Sequence, residues 1–259
     1  LSRPWALIHT HLFAGNFIGC LAALTVPKRK RPPLIAAEHA LAERWFAPDR
    51  KAATSNQSIS EPGGRIALIA DRWLIQHAAS LILVPSRACR QSYVARGIRP
   101  EKLQVVSNAI SANRFEQVNR AASRLRVREE LHIPTDAHVV GIVSRLEPVK
   151  GLPILIEAMV DLPGYLLIAG DGSQRSFLAE QIRSHDLGHR VKLLGTRSDV
   201  PSLLTAFDVF VLPSYADSFG IAVAEALLMQ VPVVATDVGG IPEVTNGGEC
   251  ARLVAPGDV

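Results

Sequence analysis

Cysteine, aromatic residues and long apolar runs are all scarce in this chain of 259 residues. The three cysteines, Cys20, Cys89 and Cys250, have neither paired nor metal-ligand spacing. This argues against a disulfide scaffold and a zinc site, and it fits a reducing compartment. Aromatic residues make up 5%, so stacking platforms for single-stranded nucleic acid are not evident. No apolar run approaches the roughly 18 residues of a membrane span, and no signal-peptide pattern opens the chain, so we expect a cytoplasmic protein.

The charge balance is mildly basic, with a formal net charge of +4. This suits an anionic small molecule or an anionic membrane surface, and it is too weak to indicate a nucleic-acid partner. The one dense basic run is Lys28-Arg29-Lys30-Arg31. Two interpretations stay open: a solvated loop, or a contact with anionic lipid head groups or an anionic acceptor. The second would place the protein peripherally at the inner face of the membrane.

Short apolar runs alternate with helical patterns along most of the chain. The runs are rich in Val, Ile and Leu without strict alternation, which is typical of parallel strands covered on both faces. The β-α-β-α order therefore predicts an α/β fold with doubly wound parallel sheets. The predicted strands span residues 6–11, 34–38, 80–85, 102–107, 138–143, 165–169, 190–194, 209–212 and 231–235. Because a polar, Arg-rich segment ends the first series, we place a boundary near residue 136, between domains 1–136 and 137–259.

Glycines, short polar residues and cations follow every predicted strand of the second domain. In open α/β sheets, ligands bind beyond the carboxyl ends of the strands. The segments concerned are residues 144–151, 170–172, 195–197, 213–220 and 236–240. Any one of them could be an ordinary turn, but five on one edge predict a bound polar ligand.

The ligand is predicted to be anionic. We assign Ser218 as the N-cap of the helix that follows, whose free N–H groups and positive dipole end favour phosphate. Arg145 and Lys150 bring two positive charges to the same edge, although surface salt bridges are the more usual role of such residues.

Glu225 lies inside an almost wholly apolar helical run, residues 221–229. Because burying a lone carboxylate is expensive, it must have a partner or reach a cleft. Its partner is either a protein Arg or backbone amide, or a ligand with hydroxyl donors such as ribose. Asp217 lies eight residues earlier, about 12 Å along a helix. That span suits the two ends of a sugar-diphosphate-ribose ligand.

These motifs carry a family resemblance. Asp217-Ser218-Phe219-Gly220 through Glu225-Ala226, together with residues 231–236, 239–243, 144–151 and 170–172, closely resembles the retaining glycosyltransferases of family 4. The resemblance implies the GT-B fold, in which two Rossmann-like domains face each other across a cleft. It also implies metal-independent sugar transfer from a nucleotide diphosphate donor, with retention at the anomeric carbon and without a cofactor.

The resemblance also implies roles for particular residues. It assigns the diphosphate to Arg145 and Lys150 and the ribose to Glu225, and it places Asp217 where the family usually has Glu. The implied donor-binding residues are Arg145, Lys150, Gly172, Arg197, Ser218, Phe219, Gly220, Ile221 and Glu225. The implied catalytic residues are His39, Asp217, Arg145 and Lys150.

Two histidines of the first domain match the family's recurring positions. His39, in Ala36-Ala37-Glu38-His39, would lie beside the transferred sugar, and His11, in Ile-His-Thr-His, would lie on the acceptor side. A strand-end histidine is also often only a packing or hydrogen-bonding residue.

The family's first strand with its Gly-rich loop, and its last helices, have no counterpart, so we expect a fragment truncated at both ends.

The sequence therefore predicts transfer of a hexose-type sugar from a UDP- or GDP-sugar to a glycan or lipid-linked acceptor. Three alternatives stay open. One is another GT-B enzyme, such as a nucleotide-sugar epimerase, and another is a non-catalytic nucleotide-sugar binding module. The third is a dinucleotide-dependent oxidoreductase, for which Gly170-Asp171-Gly172 supplies only G-x-G, because Arg175 occupies the place of the third glycine.

Overall fold

The computed structural model describes residues 6–39 and 62–258. Within these ranges, all the strands pair in parallel and fall into two sheets. The strands are β1 (Ile8–His11), β2 (Leu34–Ala37), β3 (Leu81–Val84), β4 (Leu103–Val105), β5 (Val139–Val143), β6 (Tyr165–Ala169), β7 (Val191–Gly195), β8 (Val209–Leu212), β9 (Val233–Thr236) and β10 (Arg252–Val254). The helices are α1 (Leu12–Thr25), α2 (Pro62–Ala78), α3 (Arg87–Ala95), α4 (Asn113–Glu116), α5 (Arg120–Glu130), α6 (Leu152–Ala158), α7 (Arg175–Ser184), α8 (Val200–Leu204), α9 (Ile221–Leu228) and α10 (Ile241–Val244). All nine predicted strands are present.

The first of two compact units comprises the described residues 6–39 and 62–108, together with 217–219. Its sheet has the order β1-β2-β3-β4, in which His11 at the end of β1 is in register with Ala37 at the end of β2. Leu34, Ala36 and Ile82 are almost fully buried, because helices cover the sheet. The three cysteines are free.

A buried polar cluster lies in the first unit around Glu38, the residue that follows β2. Asn16 of α1 is fully buried, and its amide donates to Glu38 Oε1 at 2.7 Å and to the Ala37 carbonyl at 3.1 Å. The Tyr93 hydroxyl also hydrogen-bonds to the Glu38 carboxyl group. Burial first, and the neighbouring charge of Glu38 second, raise the pKa of Asp71 from 3.8 to about 6, and the positive charge of Arg96 only partly offsets them. The cluster thus holds two buried carboxyl groups that disfavour being charged together.

The raised pKa of Asp71 in this cluster makes the free energy of unfolding depend on pH. Because the folded-state pKa of Asp71 lies above the ordinary 3.8, the folded protein binds more protons than the unfolded chain between pH 3.8 and about 6. The stabilising contribution of Asp71 is therefore present below pH 3.8 and is lost as the pH rises to about 6. In this range the free energy of unfolding falls by up to about 1.4 kcal/mol per pH unit. We expect Asp71→Asn to flatten this part of a pH series of denaturant melts. An unchanged slope in the variant would assign the effect to another group.

The second unit comprises residues 109–216 and the described residues 220–258. Its sheet has the order β10-β9-β8-β5-β6-β7. Counted from β5 as the first strand, this is the 3-2-1-4-5-6 order of a doubly wound Rossmann sheet, with its reversal between β5 and β8. The predicted α/β class is confirmed. Strand β10 was not predicted, because a strand of three residues carries too little pattern.

Residues 109–136 group with the second unit, whereas the sequence placed the boundary after them. Arg128 of α5 supplies the physical reason, because its side chain is only 1% exposed. Its guanidinium donates to the carbonyls of Ala137 and Ala206 at 2.9 and 3.0 Å and pairs with Asp208 at 2.9 Å. Asp208 Oδ2 also accepts from the Val139 N–H at 2.7 Å. These bonds fasten α5 to the ends of β5 and β8.

Candidate functional site

The loops after β5 and β8 meet where the strand order of the second sheet reverses. Gly151 has a left-handed φ of +66°, and a Cβ there would lie 2.0 Å from the Pro213 carbonyl oxygen. The Tyr215 N–H donates to the Val149 carbonyl at 2.8 Å. Only glycine permits this approach. It places Lys150, the last residue of a short 3-10 turn, at the reversal point, which is where open α/β sheets bind ligands.

The loops after β5 and β6 interlock in a similar way. Gly170 has a φ of +133°, and a Cβ there would lie 1.8 Å from the Ser144 carbonyl oxygen. The Leu146 N–H donates to the Asp171 carbonyl at 2.9 Å. A Cβ at Gly172 would lie 2.5 Å from the Leu146 carbonyl oxygen, so this glycine too is required by close backbone packing. The two loops therefore pack backbone against backbone at this edge of the sheet.

A cavity of about 250 Å³ opens at this edge of the second unit. Its lining residues are Val143, Ser144, Arg145, Ala169, Gly170, Asp171, Thr196, Arg197 and Val200. Arg145 is exposed, and its guanidinium makes no hydrogen bond or ion pair with any residue that the structure describes. A cation is thus available to an anionic ligand at the rim.

Arg197, which also lines the cavity, is already engaged. Its guanidinium donates to both carboxylate oxygens of Asp199 at 2.8 Å and to Glu130 Oε1 at 2.7 Å. These hydrogen bonds raise the pKa of Arg197 and lower the pKa values of Glu130 and Asp199. Two carboxylates neutralise its charge, so Arg197 forms a fixed wall of the cavity.

Helix α9 begins one residue after its N-cap, Gly220, whose φ is +88°. The assignment of Ser218 as N-cap is therefore wrong, because the chain turns at Gly220, two residues later. The Phe219 N–H donates to Asp217 Oδ1 at 3.2 Å, which closes a local turn. By contacts, residues 217–219 group with the first unit, while Gly220 and Ile221 belong to the second.

Glu225 lies on α9 between the buried residues Val223 and Ala226. Its side chain is half-buried, and burial raises its pKa, an effect that the positive charge of Arg114 partly offsets. No described residue forms a hydrogen bond or ion pair with its carboxylate. The sequence left two explanations open, a protein partner or a ligand with hydroxyl donors. No close protein partner is found among the described residues.

Two strand-end histidines of the first unit lie side by side. His11 ends β1, and His39 follows β2 by two residues. His11 Nδ1 and His39 Nε2 are 3.3 Å apart, and the rings stack at an angle of 11°. Such a hydrogen bond needs one neutral acceptor nitrogen. Burial first, and the charge of His11 second, lower the pKa of His39 and favour its neutral form.

Several residues around these groups were missed from the sequence. Glu130 and Asp199 hold Arg197, and Asn16 holds the backbone before His39 through Ala37 and Glu38. Glu38 carried a signal, since it is an acidic residue directly after an apolar run. Asn16 carried a weaker one, as a polar residue within an otherwise apolar helical segment. Within residues 6–39 and 62–258, no three His, Cys, Asp or Glu side chains come together as metal ligands would.

Family comparisons agree with this geometry. The chain belongs to the family of glycosyl transferases group 1, whose model matches residues 123–259. The model of glycosyltransferase family 4 matches residues 3–114. The family 4 resemblance is thereby confirmed.

Individual relatives support the same assignment. The chain is 30% identical over 264 residues to D-inositol 3-phosphate glycosyltransferase of Mycobacterium tuberculosis, covering 98% of this chain and 51% of the relative. It therefore spans about half the length of the curated relatives that it matches. Anabaena HepE, solved in complex with UDP-glucose, is 28% identical with a TM-score of 0.82, over 98% of this chain and 65% of that one.

A more distant structure shows the fold alone. Sucrose-phosphate synthase from Thermosynechococcus elongatus is 23% identical with a TM-score of 0.81, over 99% of this chain and 62% of that one. The predicted GT-B fold, built from two Rossmann-like domains, is confirmed.

Proposed function

We propose that this protein transfers a hexose-type sugar from a nucleoside diphosphate donor to a glycan or lipid-linked acceptor, with retention at the anomeric carbon and without a metal. The observation that carries the proposal is a pair of unsatisfied charges at the carboxyl edge of the second sheet. The Arg145 guanidinium and the Glu225 carboxylate have no close partner among the described residues. A diphosphate matches the first, and ribose hydroxyls match the second.

The cavity beside Arg145 has the size of one part of such a donor. Its volume of about 250 Å³ is below the roughly 300–1,000 Å³ of pockets that enclose drug-sized ligands. We assign it to the base, with Arg197 as a fixed wall and Gly172 in the adjoining loop. That HepE is solved with UDP-glucose supports a UDP-sugar as the first donor to test.

In the proposed reaction, the bond between the anomeric carbon and the diphosphate breaks, and the carbon passes through an oxocarbenium-like state. Arg145, Lys150 and the N-terminal amides of α9, from Ile221 onward, stabilise the charge that develops on the leaving diphosphate. The acceptor hydroxyl forms the new bond on the face that the diphosphate leaves. Its proton passes to a leaving phosphate oxygen, so atoms and charge balance.

The remaining predicted residues hold the sugar. In this proposal Asp217 accepts hydrogen bonds from sugar hydroxyls, and its turn with Ser218 and Phe219 presents backbone amides to the sugar and phosphate. His39 orients the sugar. His11 lies on the acceptor side and sets the orientation of His39 through the contact of 3.3 Å between His11 Nδ1 and His39 Nε2.

A thermal-shift panel of UDP-, GDP- and ADP-sugars tests this function, with NAD as the control for an oxidoreductase. A ligand at a hundredfold excess over its Kd stabilises the protein by about 2.7 kcal/mol. We expect a shift with one class of nucleotide sugar and none with NAD. A shift with NAD alone would contradict the proposal. In a separate product assay, epimerised sugar instead of a transfer product would favour an epimerase.

His39→Ala separates sugar contacts from nucleotide contacts. We expect kcat to fall by about 10- to 100-fold, because a hydrogen bond to the sugar is lost, while the Kd of the free nucleotide diphosphate stays within about twofold. His9→Ala is the matched control, since its ring also contacts His11, with centroids 4.2 Å apart. Equal losses of kcat and nucleotide affinity for His39→Ala, or no loss, would count against the role.

A further inference from the structure

The side chain of Glu147 joins two loops at the carboxyl edge of the second sheet. Its Oε2 accepts a hydrogen bond from the Ser173 hydroxyl at 2.9 Å, and its Oε1 accepts one from the Ser173 N–H at 3.3 Å. Glu147 lies in the loop after β5, and Ser173 lies 26 residues later, in the loop after β6. Hydrogen bonds to an ionised carboxylate are about twice as strong as those between neutral groups. We call this two-point contact the Glu147 brace.

The brace holds the beginning of the turn that carries Lys150. Glu147 is the N-cap of the 3-10 turn Pro148–Lys150, but no amide of this described turn donates to its side chain. An acidic N-cap of a helix ordinarily accepts such a bond. Here the Glu147 carbonyl accepts from the Lys150 N–H at 2.9 Å, while the carboxylate is committed to the neighbouring loop. The turn is therefore tied at its start by the brace and at its end by Gly151, which packs against the Pro213 carbonyl.

The other side of the brace is anchored in the core. Gln174, the residue after Ser173, is the N-cap of α7, and its N–H donates to the Leu146 carbonyl at 2.9 Å. Leu146 is fully buried, and a Cβ at Gly172 would collide with its carbonyl. This backbone packing joins the two loops without any contribution from Glu147. The brace therefore adds the orientation of the turn rather than the fold of the unit.

We propose that Glu147 is a positioning residue of the transfer reaction, which acts by holding Lys150 where charge develops on the leaving diphosphate. The inference rests on the proposed function and adds a residue to it. Glu147 does not contact the substrate, and it acts through the three-residue turn that begins after it. A displacement of about 1 Å in a group that stabilises the transition state can lower a rate by about 100-fold. The brace limits such a displacement of Lys150.

Single substitutions test the geometry of the brace. Glu147→Ala removes both hydrogen bonds and is expected to lower kcat by about 10- to 100-fold. Glu147→Gln should recover most of that loss, because its amide oxygen accepts from the Ser173 N–H and its amide nitrogen donates to the Ser173 hydroxyl oxygen. Ser173→Ala should fall between the two. Glu157→Ala is the matched control, because it removes the same charge at an exposed position of α6, and kcat should change by less than about threefold. Normal kcat in Glu147→Ala, or an equal loss in Glu147→Gln, would count against the proposal.

A double-mutant cycle tests whether Glu147 acts through Lys150. When Lys150→Ala is already present, adding Glu147→Ala should cost less than about threefold in kcat, because the group that the brace holds is gone. In the Arg145→Ala background, the cost should stay at about 10- to 100-fold. A merely structural role would give equal costs in both backgrounds, and this result would overturn the proposal. If Glu147→Ala does not fold, Ser173→Ala replaces it in the same cycle.

Amide hydrogen exchange tests the brace without any turnover. Glu147→Ala should speed exchange of the Lys150 and Ser173 amides by about 10-fold or more, since both amides donate to Glu147. Glu157→Ala should leave both rates within about twofold of wild type. Unchanged exchange in Glu147→Ala would overturn the brace, whatever the effect on kcat. If the wild-type protein transfers no sugar, the proposed function fails, and the exchange rates still decide whether the brace exists.

Discussion

Arg145→Ala is expected to lower the rate of sugar transfer by about 30- to 1000-fold, because about 2–4 kcal/mol of transition-state stabilisation is lost. The leaving nucleotide gains negative charge as the bond to the sugar breaks. That charge must be compensated at the moment of bond breaking, and the Arg145 guanidinium at the cavity rim is not engaged by any described residue. Compensation by a group already in place requires no reorganisation.

Lys150→Ala is expected to have an effect of the same size, since Gly151 fixes the neighbouring backbone against Pro213. Lys150→Arg should restore the rate only in part, because a planar fork replaces a compact ammonium. Arg175→Ala is the matched control. Its side chain is 44% exposed beside Asp171, at an ion-pair distance of 3.9 Å, and we expect less than about a threefold change. Near-normal rates for both the Arg145 and the Lys150 alanine variants would contradict the mechanism.

Glu225→Ala is expected to weaken nucleotide binding by about 10- to 100-fold, as loss of hydrogen bonds between a carboxylate and ribose hydroxyls predicts. The fold should stay intact, because burial raises the pKa of Glu225 and the ionised side chain has no close partner among the described residues. Removing a poorly compensated charge does not cost stability. Calorimetric titration beside a melting curve measures both quantities.

The same residue predicts a pH effect on binding. Because the folded-state pKa of Glu225 is raised, the ionised form that accepts ribose hydroxyls is lost at a higher pH than for an ordinary glutamate. Nucleotide affinity should therefore weaken as the pH falls toward this pKa, and this dependence should be absent in Glu225→Gln. Unchanged affinity of Glu225→Ala would remove the ribose assignment, and a collapsed fold would assign Glu225 a structural role.

The sequence located the strands well, because buried parallel strands are apolar over their whole length and leave a strong local signal. The position of Glu225 also marked it as a candidate site residue, since burying an unpartnered carboxylate costs free energy wherever an apolar helix packs. Both features depend on local composition, which a single sequence displays directly.

Features that depend on three-dimensional neighbours were missed. Nothing local to Arg197 shows that Glu130, which lies 67 residues away in the chain, pairs with its guanidinium. The assignment of Ser218 as N-cap failed because Gly220 can adopt a left-handed φ and start the helix two residues later. Nothing local to Arg128, which lies in a polar, Arg-rich segment, shows that its guanidinium is buried against Asp208 and several backbone carbonyls.

The anomeric configuration of the transfer product tests the central claim most directly. The protein would be incubated with an α-configured UDP-hexose and an acceptor in excess EDTA, and the new linkage would be assigned from its NMR coupling constant. The account predicts an α-linked product and release of UDP with the chelator present. A β-linked product, or transfer that appears only after Mg²⁺ or Mn²⁺ is restored, would contradict it.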